Sequence, residues 1–148
     1  MNKNLTVIIV VYKTKKELLK SFIHQIDKNY KILIIDNSYL YNFTDIENLQ
    51  NVSIYRSKEN NGNGDGINKG LKIVDTPYAI YFDIDTLFEK NFLQQIEKYI
   101  FKIKDFVILI PNINSSYSDK NEFIELYDGE GAAMLFNVKA IIKLGMFD

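Results

Sequence analysis

The sequence predicts an α/β fold in which helices flank a mostly parallel sheet. Short apolar runs that lack polar alternation recur along the 148 residues, and such runs are typical of strands buried on both faces. Segments whose apolar residues have helical spacing separate these runs. Strands that alternate with helices indicate right-handed crossovers between parallel strands.

In the first half of the chain, strands alternate with two helices. The predicted strands are the apolar runs 5–12, 31–36 and 52–56. Thr14 and Glu17 have the spacing of a capping box, which predicts a helix from about Lys15 to Asp27. Thr44 and Glu47 repeat this spacing, which predicts a second, shorter helix before the third strand.

The second half continues the alternation. A helix from about Gly66 to Val74 ends before Pro77, because proline disfavours a helical conformation at the residue preceding it. Further strands are predicted at 78–82, 106–111 and 122–127. Between the first two of these, apolar residues from Phe92 to Ile103 line one face of a long helix. A final helix is predicted to end just before Gly145.

Composition and charge exclude several kinds of site. The formal net charge is −1, so no field of one sign attracts nucleic acid, and we expect no nucleic-acid partner. The absence of cysteine excludes disulfides, thiolate nucleophiles and cysteine-ligated zinc. His24 is the only histidine and lies off the apolar face of its predicted helix, which indicates a solvated residue. Any metal would therefore take oxygen ligands, as Mg²⁺, Mn²⁺ and Ca²⁺ do.

Length and hydropathy indicate one domain without a membrane span. A chain of 148 residues is long enough to bury a core as a single domain, here 1–148. The longest apolar run near the start, 5–12, is too short to cross a bilayer. We therefore expect no transmembrane segment and a cytoplasmic location, and peripheral association with a membrane stays open.

Two aspartates follow the predicted strand at 78–82. In an extended segment, residues two apart point the same way, so Asp83 and Asp85 would face one point beyond the sheet. A hard divalent cation would relieve their mutual repulsion. A second interpretation is a helix N-cap formed by Asp85 or Thr86. A third is similarity to the D-x-D-x-T signature of haloacid-dehalogenase phosphatases, although Leu87 stands where that pattern needs Thr or Val.

Glycine recurs at alternate positions in "NNGNGDGINKG", residues 60–70. A calcium loop of the EF-hand type would need Glu where Lys72 stands, and a P-loop would need Gly-Lys-Ser/Thr, so neither motif fits. Two interpretations remain. The glycines allow the backbone to approach a ligand or a neighbouring strand near a helix N-terminus, or they form a surface turn.

Asp36 stands at the carboxyl end of the second predicted strand, in the stretch "IIDNS". Ligands of parallel α/β sheets bind beyond the carboxyl ends of the strands. The carboxylate would therefore accept a hydrogen bond from a nucleotide base or a ribose hydroxyl. The alternative is an Asx-turn in which Asp36 only guides the chain out of the strand.

Taken in order, four segments resemble the family-two glycosyltransferases of the GT-A fold. They are "VIIVVYKTKKELLKSF", "ILIIDNS", "ENNGNGDGINKGL" and "YAIYFDIDTLFEKNFL". The spaced N-x-G-x-G-x-G-x-N-x-G block followed by D-x-D is the specific part. The chain looks most similar to the rhamnosyltransferase-like branch, which builds bacterial surface polysaccharides. Residues 129–148 also resemble the acceptor-side segment of the family, which contains a Gly-x-Phe-Asp.

The resemblance implies a nucleotide-binding set and a metal-binding pair. The nucleotide-binding residues that it implies are Val11, Tyr12, Lys13, Asp36, Asn60, Gly62, Asn68 and Asp83. Asp36 would bind the base, Asp83 would face the ribose and the metal, and Asp85 would ligate Mg²⁺ or Mn²⁺. Lys69 would approach the diphosphate or remain a solvated helix residue.

The implied activity is metal-dependent inverting transfer of a sugar in surface polysaccharide synthesis. The donor would be a UDP-, dTDP- or GDP-linked sugar, and the acceptor would be a glycan or a lipid-linked molecule. The general base of the family usually follows the Gly-x-Phe-Asp segment, so we expect a full-length member to continue beyond Asp148. Within the chain, Asp128 and Glu130 are candidates for the base. The alternative function is a nucleotide-sugar-binding module or fragment without complete catalysis.

Overall fold

A computed structural model describes residues 4–39, 43–103, 105–111 and 131–148 of the chain. Within these ranges, six strands form one sheet, and five helices accompany it. In chain order they are β1 (Leu5–Val11), α1 (Lys16–Gln25), β2 (Lys31–Asp36), α2 (Thr44–Glu47), β3 (Val52–Arg56), α3 (Gly62–Ile73), β4 (Tyr78–Phe82), α4 (Phe92–Lys102), β5 (Ile108–Leu109), β6 (Ala133–Asn137) and α5 (Val138–Leu144).

The sheet has the strand order β3-β2-β1-β4-β6-β5. Strands β1 to β4 run parallel, whereas β6 is antiparallel to both β4 and β5. This arrangement confirms the predicted α/β fold. Strand β6 was not predicted, and the strand predicted at 106–111 is reduced to Ile108–Leu109. The strand predicted at 122–127 lies outside the described residues.

Both faces of the sheet are covered, as its uninterrupted apolar strands predict. On β1, the side chains of Val7 and Ile9 pack with α1 and α4, and that of Ile8 packs with α3 and α5. All three are fully buried. Because burying one such side chain contributes about 1.5–3 kcal/mol, the two cores hold the central strands firmly. The carboxyl ends of these strands are therefore held in place by the core.

The capping boxes predicted from Thr14 and Thr44 do not form. The N-cap residues are Lys15 for α1 and Phe43 for α2, and neither makes a side-chain capping hydrogen bond. In α1, the Lys15 carbonyl accepts the first bond, from Leu19 N at 3.2 Å. Each helix thus begins one residue away from the position that the capping spacing required.

Helix α3 begins at Gly62, four residues earlier than predicted, so most of the glycine-rich stretch is helical. A Cβ at Gly66 would lie 2.6 Å from Cγ1 of Val10, and one at Gly70 would lie 2.8 Å from Cγ2 of Ile8. These two glycines therefore allow the helix to approach β1 closely. Of the two interpretations of the stretch, close approach to a neighbouring strand is the one that the structure supports, and a surface turn is wrong.

The only histidine of the sequence lies where it was predicted, on the solvent side of α1. His24 is exposed, as its position off the apolar face of α1 predicts, and its Nδ1 lies 2.6 Å from the Lys20 carbonyl oxygen. Within the described ranges, no helix combines the length and the apolar character that crossing a membrane requires.

Candidate functional site

The carboxyl ends of β1 to β4 meet at one edge of the sheet, which we call the carboxyl edge. Val11, the last residue of β1, pairs with Asp36 at the end of β2, and Asp36 pairs with Arg56 at the end of β3. Backbone bonds continue these ladders past the strand ends, from Asn37 N to Val11 O at 2.9 Å and from Ser57 N to Asp36 O at 2.8 Å. The residues that follow each strand therefore lie side by side.

Asp36 and Asn37 bring two buried acceptors to this edge. Asp36 is fully buried, and its Oδ1 accepts hydrogen bonds from the backbone N (2.9 Å) and the hydroxyl of Ser38, which forms the Asx-turn. Asn37 Nδ2 donates to the carbonyl of Gly62 at 3.1 Å, and this bond fixes the orientation of the amide. Among the described residues, Asp36 Oδ2 and Asn37 Oδ1 have no hydrogen-bond partner. Buried acceptors of this kind need a donor, which a ligand or water can supply.

The first turn of α3 is tied to both of its flanks. Gly62 has φ 92°, a left-handed conformation that favours glycine, and its N–H donates to Asn60 Oδ1 at 3.1 Å. Its carbonyl holds Asn37. The next residue, Asn63, donates from Nδ2 to the Tyr81 hydroxyl at 2.7 Å. Gly62 and Asn63 thus connect the end of β2 with the end of β4.

The aspartates after β4 lie in a turn, which we call the acid turn (residues 83–86). The Thr86 N–H donates to the Asp83 carbonyl at 3.0 Å, so the segment is not extended and the argument from residues two apart is wrong. The Ala132 carbonyl accepts from both Asp83 N and Thr86 Oγ1, each at 3.0 Å, and thereby bends the chain. Helix α4 has Asn91 as its N-cap, so the predicted N-cap role of Asp85 or Thr86 is wrong as well.

Tyr81 links the acid turn to α3. Its buried hydroxyl donates to Asp83 Oδ1 while accepting from Asn63 Nδ2. Burial, the hydrogen bond to Asp83 and the charges of Asp83 and Asp85 together raise the pKa of Tyr81 well above its ordinary value.

The two carboxylates of the acid turn suit a hard cation. Asp83 is half-buried and has one oxygen engaged by Tyr81, whereas Asp85 is exposed. Carboxylate oxygens are the ligands that Mg²⁺ and Mn²⁺ prefer. Across the described residues, no three His, Asp or Glu side chains cluster to hold a metal by themselves.

Comparison with known families decides the class of the protein. The model of the family described as glycosyl transferase family 2 matches residues 6–144. The chain belongs to this family. A comparison with curated proteins found no matching sequence. Membership of family 2 leaves the phosphatase interpretation of Asp83 and Asp85 without support.

Solved structures of other proteins have a similar fold. S. aureus TarS 1–349 in complex with UDP-GlcNAc is 15% identical, with a TM-score of 0.69 over 98% of this chain and 48% of that chain. The mannosyltransferase PcManGT from Pyrobaculum calidifontis in complex with GDP-Man and Mn²⁺ is 13% identical, with a TM-score of 0.70 over 98% and 47%. These similarities confirm the GT-A fold. The chain spans about half the length of both neighbours.

Within this family-2 fold, the end of β1 carries the predicted residues Val11, Tyr12 and Lys13. The Val11 side chain is buried in the core, so only its backbone faces the edge, and its carbonyl is already bonded to Asn37. Tyr12 is 49% exposed, and Lys13 Nζ lies 5.1 Å from the centre of its ring. Lys13 has φ 51°, a conformation that is uncommon for a residue with a side chain. Tyr12 and Lys13 are thus presented to solvent between the ends of β2 and β4.

Two predicted residues of α3 make contacts within the protein. Asn68 Nδ2 donates to the Phe147 carbonyl at 2.7 Å, and Asn68 Oδ1 accepts from Phe147 N at 3.0 Å. Lys69 Nζ lies 2.5 Å from an Asp65 oxygen and donates to Ser57 Oγ at 2.7 Å. Lys69 is therefore partly exposed and already paired within the protein. Asn68 holds the Gly-x-Phe-Asp segment against α3.

Sequence reasoning missed Asn63 and Tyr81 and gave Asn37 no role. For Tyr81 a signal existed, because residues 81 and 83 are two apart and side chains at this spacing point to the same face of a strand. Asn63 and Asn37 had no such local signal, since their partners come from other elements. The candidate bases Asp128 and Glu130 lie outside the described residues.

Proposed function

We propose that the carboxyl edge binds a nucleotide-sugar together with Mg²⁺ or Mn²⁺, and that the chain is the donor-binding part of a glycosyltransferase. Family membership supports the class of reaction. The observation that carries the proposal is the placement of two polar groups on one edge. Asp36 and Asn37 follow β2, the acid turn follows β4, and β1 lies between those strands.

The separation of these groups suits a nucleotide. Neighbouring strands lie about 4.8 Å apart, so two strand spacings separate the ends of β2 and β4 by about 10 Å. This distance is comparable to that between the base and the diphosphate of a nucleotide. Asp36 Oδ2 and Asn37 Oδ1 would accept N–H groups of the base, and Tyr12 would contact the base or the ribose from the intervening strand.

The acid turn would hold the cation. Mg²⁺ is commonly bound by one or two carboxylates together with substrate phosphate oxygens, and Asp83 with Asp85 supplies such a pair. When bound, the cation neutralises the charge that develops on the diphosphate leaving group. The protein's own contribution is to keep Asp83 fixed through Tyr81 and to leave Asp85 accessible.

The finer parts of the proposal come from the sequence resemblance. They are the rhamnosyltransferase-like branch, inversion at the transferred sugar, a UDP-, dTDP- or GDP-linked donor, and a glycan or lipid-linked acceptor. Surface polysaccharide synthesis, a cytoplasmic location and peripheral association with a membrane belong to the same proposal. Asp128 and Glu130 remain the candidates for the general base within the chain.

Thermal unfolding with sugar nucleotides tests donor binding. UDP-, dTDP- and GDP-sugars are added with Mn²⁺ or with EDTA, and one of them should stabilise the wild type more with Mn²⁺ than with EDTA. A ligand at about a hundred times its dissociation constant adds about 2.7 kcal/mol to the free energy of unfolding. Asp85→Ala should abolish this Mn²⁺-dependent gain. Asp45→Ala, which removes an exposed carboxylate paired with Lys16 and Lys20, is the control and should retain it.

Failure of all three nucleotides to stabilise the wild type with Mn²⁺ would contradict donor binding.

Where a donor does bind, turnover separates an enzyme from a binding module. Mn²⁺-dependent transfer or hydrolysis of the sugar nucleotide that is lost in Asp85→Ala indicates an enzyme. Binding without either reaction indicates the module.

A further inference from the structure

We propose that Tyr81 and Asn63 are positioning residues that hold Asp83 in the orientation needed to bind the cation. This inference rests on the proposed function, because it assumes a cation at the acid turn. The observation behind it is a chain of hydrogen bonds from Asn63 Nδ2 through the Tyr81 hydroxyl to Asp83 Oδ1. The chain joins the first turn of α3 to the end of β4.

The chemistry of Asn63, Tyr81 and Asp83 determines which group donates and which accepts in each of these hydrogen bonds. A carboxylate oxygen can only accept, so the single proton of the Tyr81 hydroxyl points at Asp83. The hydroxyl oxygen is then free to accept, and the amide nitrogen of Asn63 donates to it at 2.7 Å. With the amide of Asn63 turned round, two acceptors would face each other. The hydroxyl is therefore held from both sides and presents one defined donor to Asp83.

The location of Tyr81 makes this donor rigid. Its side chain is 2% exposed and packs in the core formed with α3 and α5. Asp83, by contrast, sits in a turn outside the strand, where its side chain would otherwise have rotational freedom. A buried hydrogen bond to one carboxylate oxygen limits that freedom and leaves the other oxygen, which has no bond to any described residue, available to a ligand.

A second feature connects these hydrogen bonds to Asn37, at the part of the carboxyl edge where the nucleotide base is proposed to bind. Asn63 directly follows Gly62, whose carbonyl accepts from Asn37 Nδ2. The first turn of α3 therefore positions Asn37 through its backbone and Asp83 through Tyr81. Hydrogen-bond partners of metal ligands typically change metal affinity by about 10- to 100-fold when they are removed. We expect an effect of this size for Tyr81.

The test compares two Tyr→Phe variants. Tyr81→Phe removes the bond to Asp83, and Tyr30→Phe removes the 2.8 Å bond from another buried tyrosine to Glu97. The dissociation constant of Mn²⁺ is measured by electron paramagnetic resonance with the nucleoside diphosphate of the stabilising donor present. Nucleotide affinity is measured separately in EDTA.

Tyr81→Phe should weaken Mn²⁺ binding by about 10-fold and leave nucleotide affinity in EDTA unchanged. Tyr30→Phe should leave both constants unchanged. Asn63→Ala, at an exposed position, should weaken Mn²⁺ binding by a few-fold and provides the test if Tyr81→Phe does not fold. Wild-type Mn²⁺ affinity in both Tyr81→Phe and Asn63→Ala would overturn the inference.

Failure of this inference is distinguishable from failure of the proposed function. If the wild type shows no Mn²⁺-dependent nucleotide binding, the proposed function fails before any variant is compared. If the wild type shows Mn²⁺-dependent binding, Asp85→Ala loses it, and Tyr81→Phe and Asn63→Ala both keep the wild-type Mn²⁺ affinity, only the positioning role fails.

Discussion

Polar residues are buried at both ends of the parallel strands, but the two ends differ in how many of the buried polar atoms have hydrogen-bond partners. At the amino edge, where the parallel strands begin, Thr6 and Thr76 are buried and their hydroxyls are bonded to each other at 2.8 Å. At the carboxyl edge, Asp36 and Asn37 are equally buried, yet each keeps one acceptor without a partner among the described residues. An unpaired buried acceptor costs about 1–3 kcal/mol. Because a ligand or water can supply the missing donors, the carboxyl edge is the candidate for binding among the described residues.

The cavities do not single out the carboxyl edge. A shallow cavity of about 360 Å³ opens at the amino edge, with Thr6, Asn51 and Val74 among its lining residues. Lys31 and Asp75, also in its wall, form an ion pair at 2.6 Å. Thr6 is bonded to Thr76, and Asn51 Nδ2 donates to the Tyr30 carbonyl at 3.0 Å, so these polar groups are already used within the protein. The difference between the edges lies in unsatisfied hydrogen-bonding capacity.

Among the variants that test the difference between the two edges, Asp36→Asn should have the largest effect, which is a loss of nucleotide affinity. Because Oδ1 must keep accepting from Ser38, the new NH₂ group replaces Oδ2 and presents a donor where an acceptor stood. A nucleotide N–H would then face another donor, and affinity should fall by about 10- to 100-fold, equivalent to about 1.4–2.8 kcal/mol. Calorimetric titration with the stabilising nucleotide measures this change. Unchanged affinity would show that Asp36 does not contact the nucleotide.

The close contact between α3 and β1, which positions the first turn of α3 at the carboxyl edge, can be tested by measuring stability. Gly66→Ala places a Cβ 2.6 Å from Val10 and should lower the free energy of unfolding by about 1–3 kcal/mol. Gly64→Ala is the matched control, because its nearest atom, Cβ of Phe147, lies at 3.5 Å. That variant should gain up to about 1 kcal/mol from helix propensity. Denaturant unfolding of both variants checks the pair, and equal stabilities would contradict the close packing of α3.

The smallest effect is expected at the amino edge, from Asp75→Asn. The hydrogen bond from Lys31 holds the pKa of Asp75 below its usual value, so the ion pair stabilises the fold at neutral pH and this contribution disappears as the pH falls through that pKa. Both side chains are partly exposed, so the loss at pH 7 should be small and should shrink in high salt. Nucleotide affinity should not change. Asp75→Asn thus serves as the amino-edge control for Asp36→Asn, and a loss of nucleotide affinity in it would break the distinction between the edges.

Most of the strands could be predicted because their signal is local. Strands β2, β3 and β4 have the predicted bounds, and β1 ends one residue earlier, since continuous apolar runs can hardly be anything but buried strands here. Strand β6 was missed. It begins at Ala133, within the segment 129–148 that resembles the acceptor side of the family, and its pairing with β4 depends on residues about fifty positions away in sequence.

The candidate site was predictable in position and not in geometry. The rule that ligands bind at the carboxyl ends of parallel strands located Asp36 and Asp83 without any coordinates. The acid turn depends on the Ala132 carbonyl, and the anchoring of Asp83 depends on Tyr81 and Asn63, so both require tertiary contacts. Helix α3 began earlier than predicted because glycine spacing served close packing on β1 instead of loop formation.

A crystal structure with Mn²⁺ and the stabilising nucleotide is the most direct test of the account. The account predicts an anomalous manganese peak within bonding distance of an Asp85 oxygen, with the base hydrogen-bonded to Asp36 Oδ2. A nucleotide bound in the cavity beside Lys31 and Asp75, or manganese away from the acid turn, would contradict it.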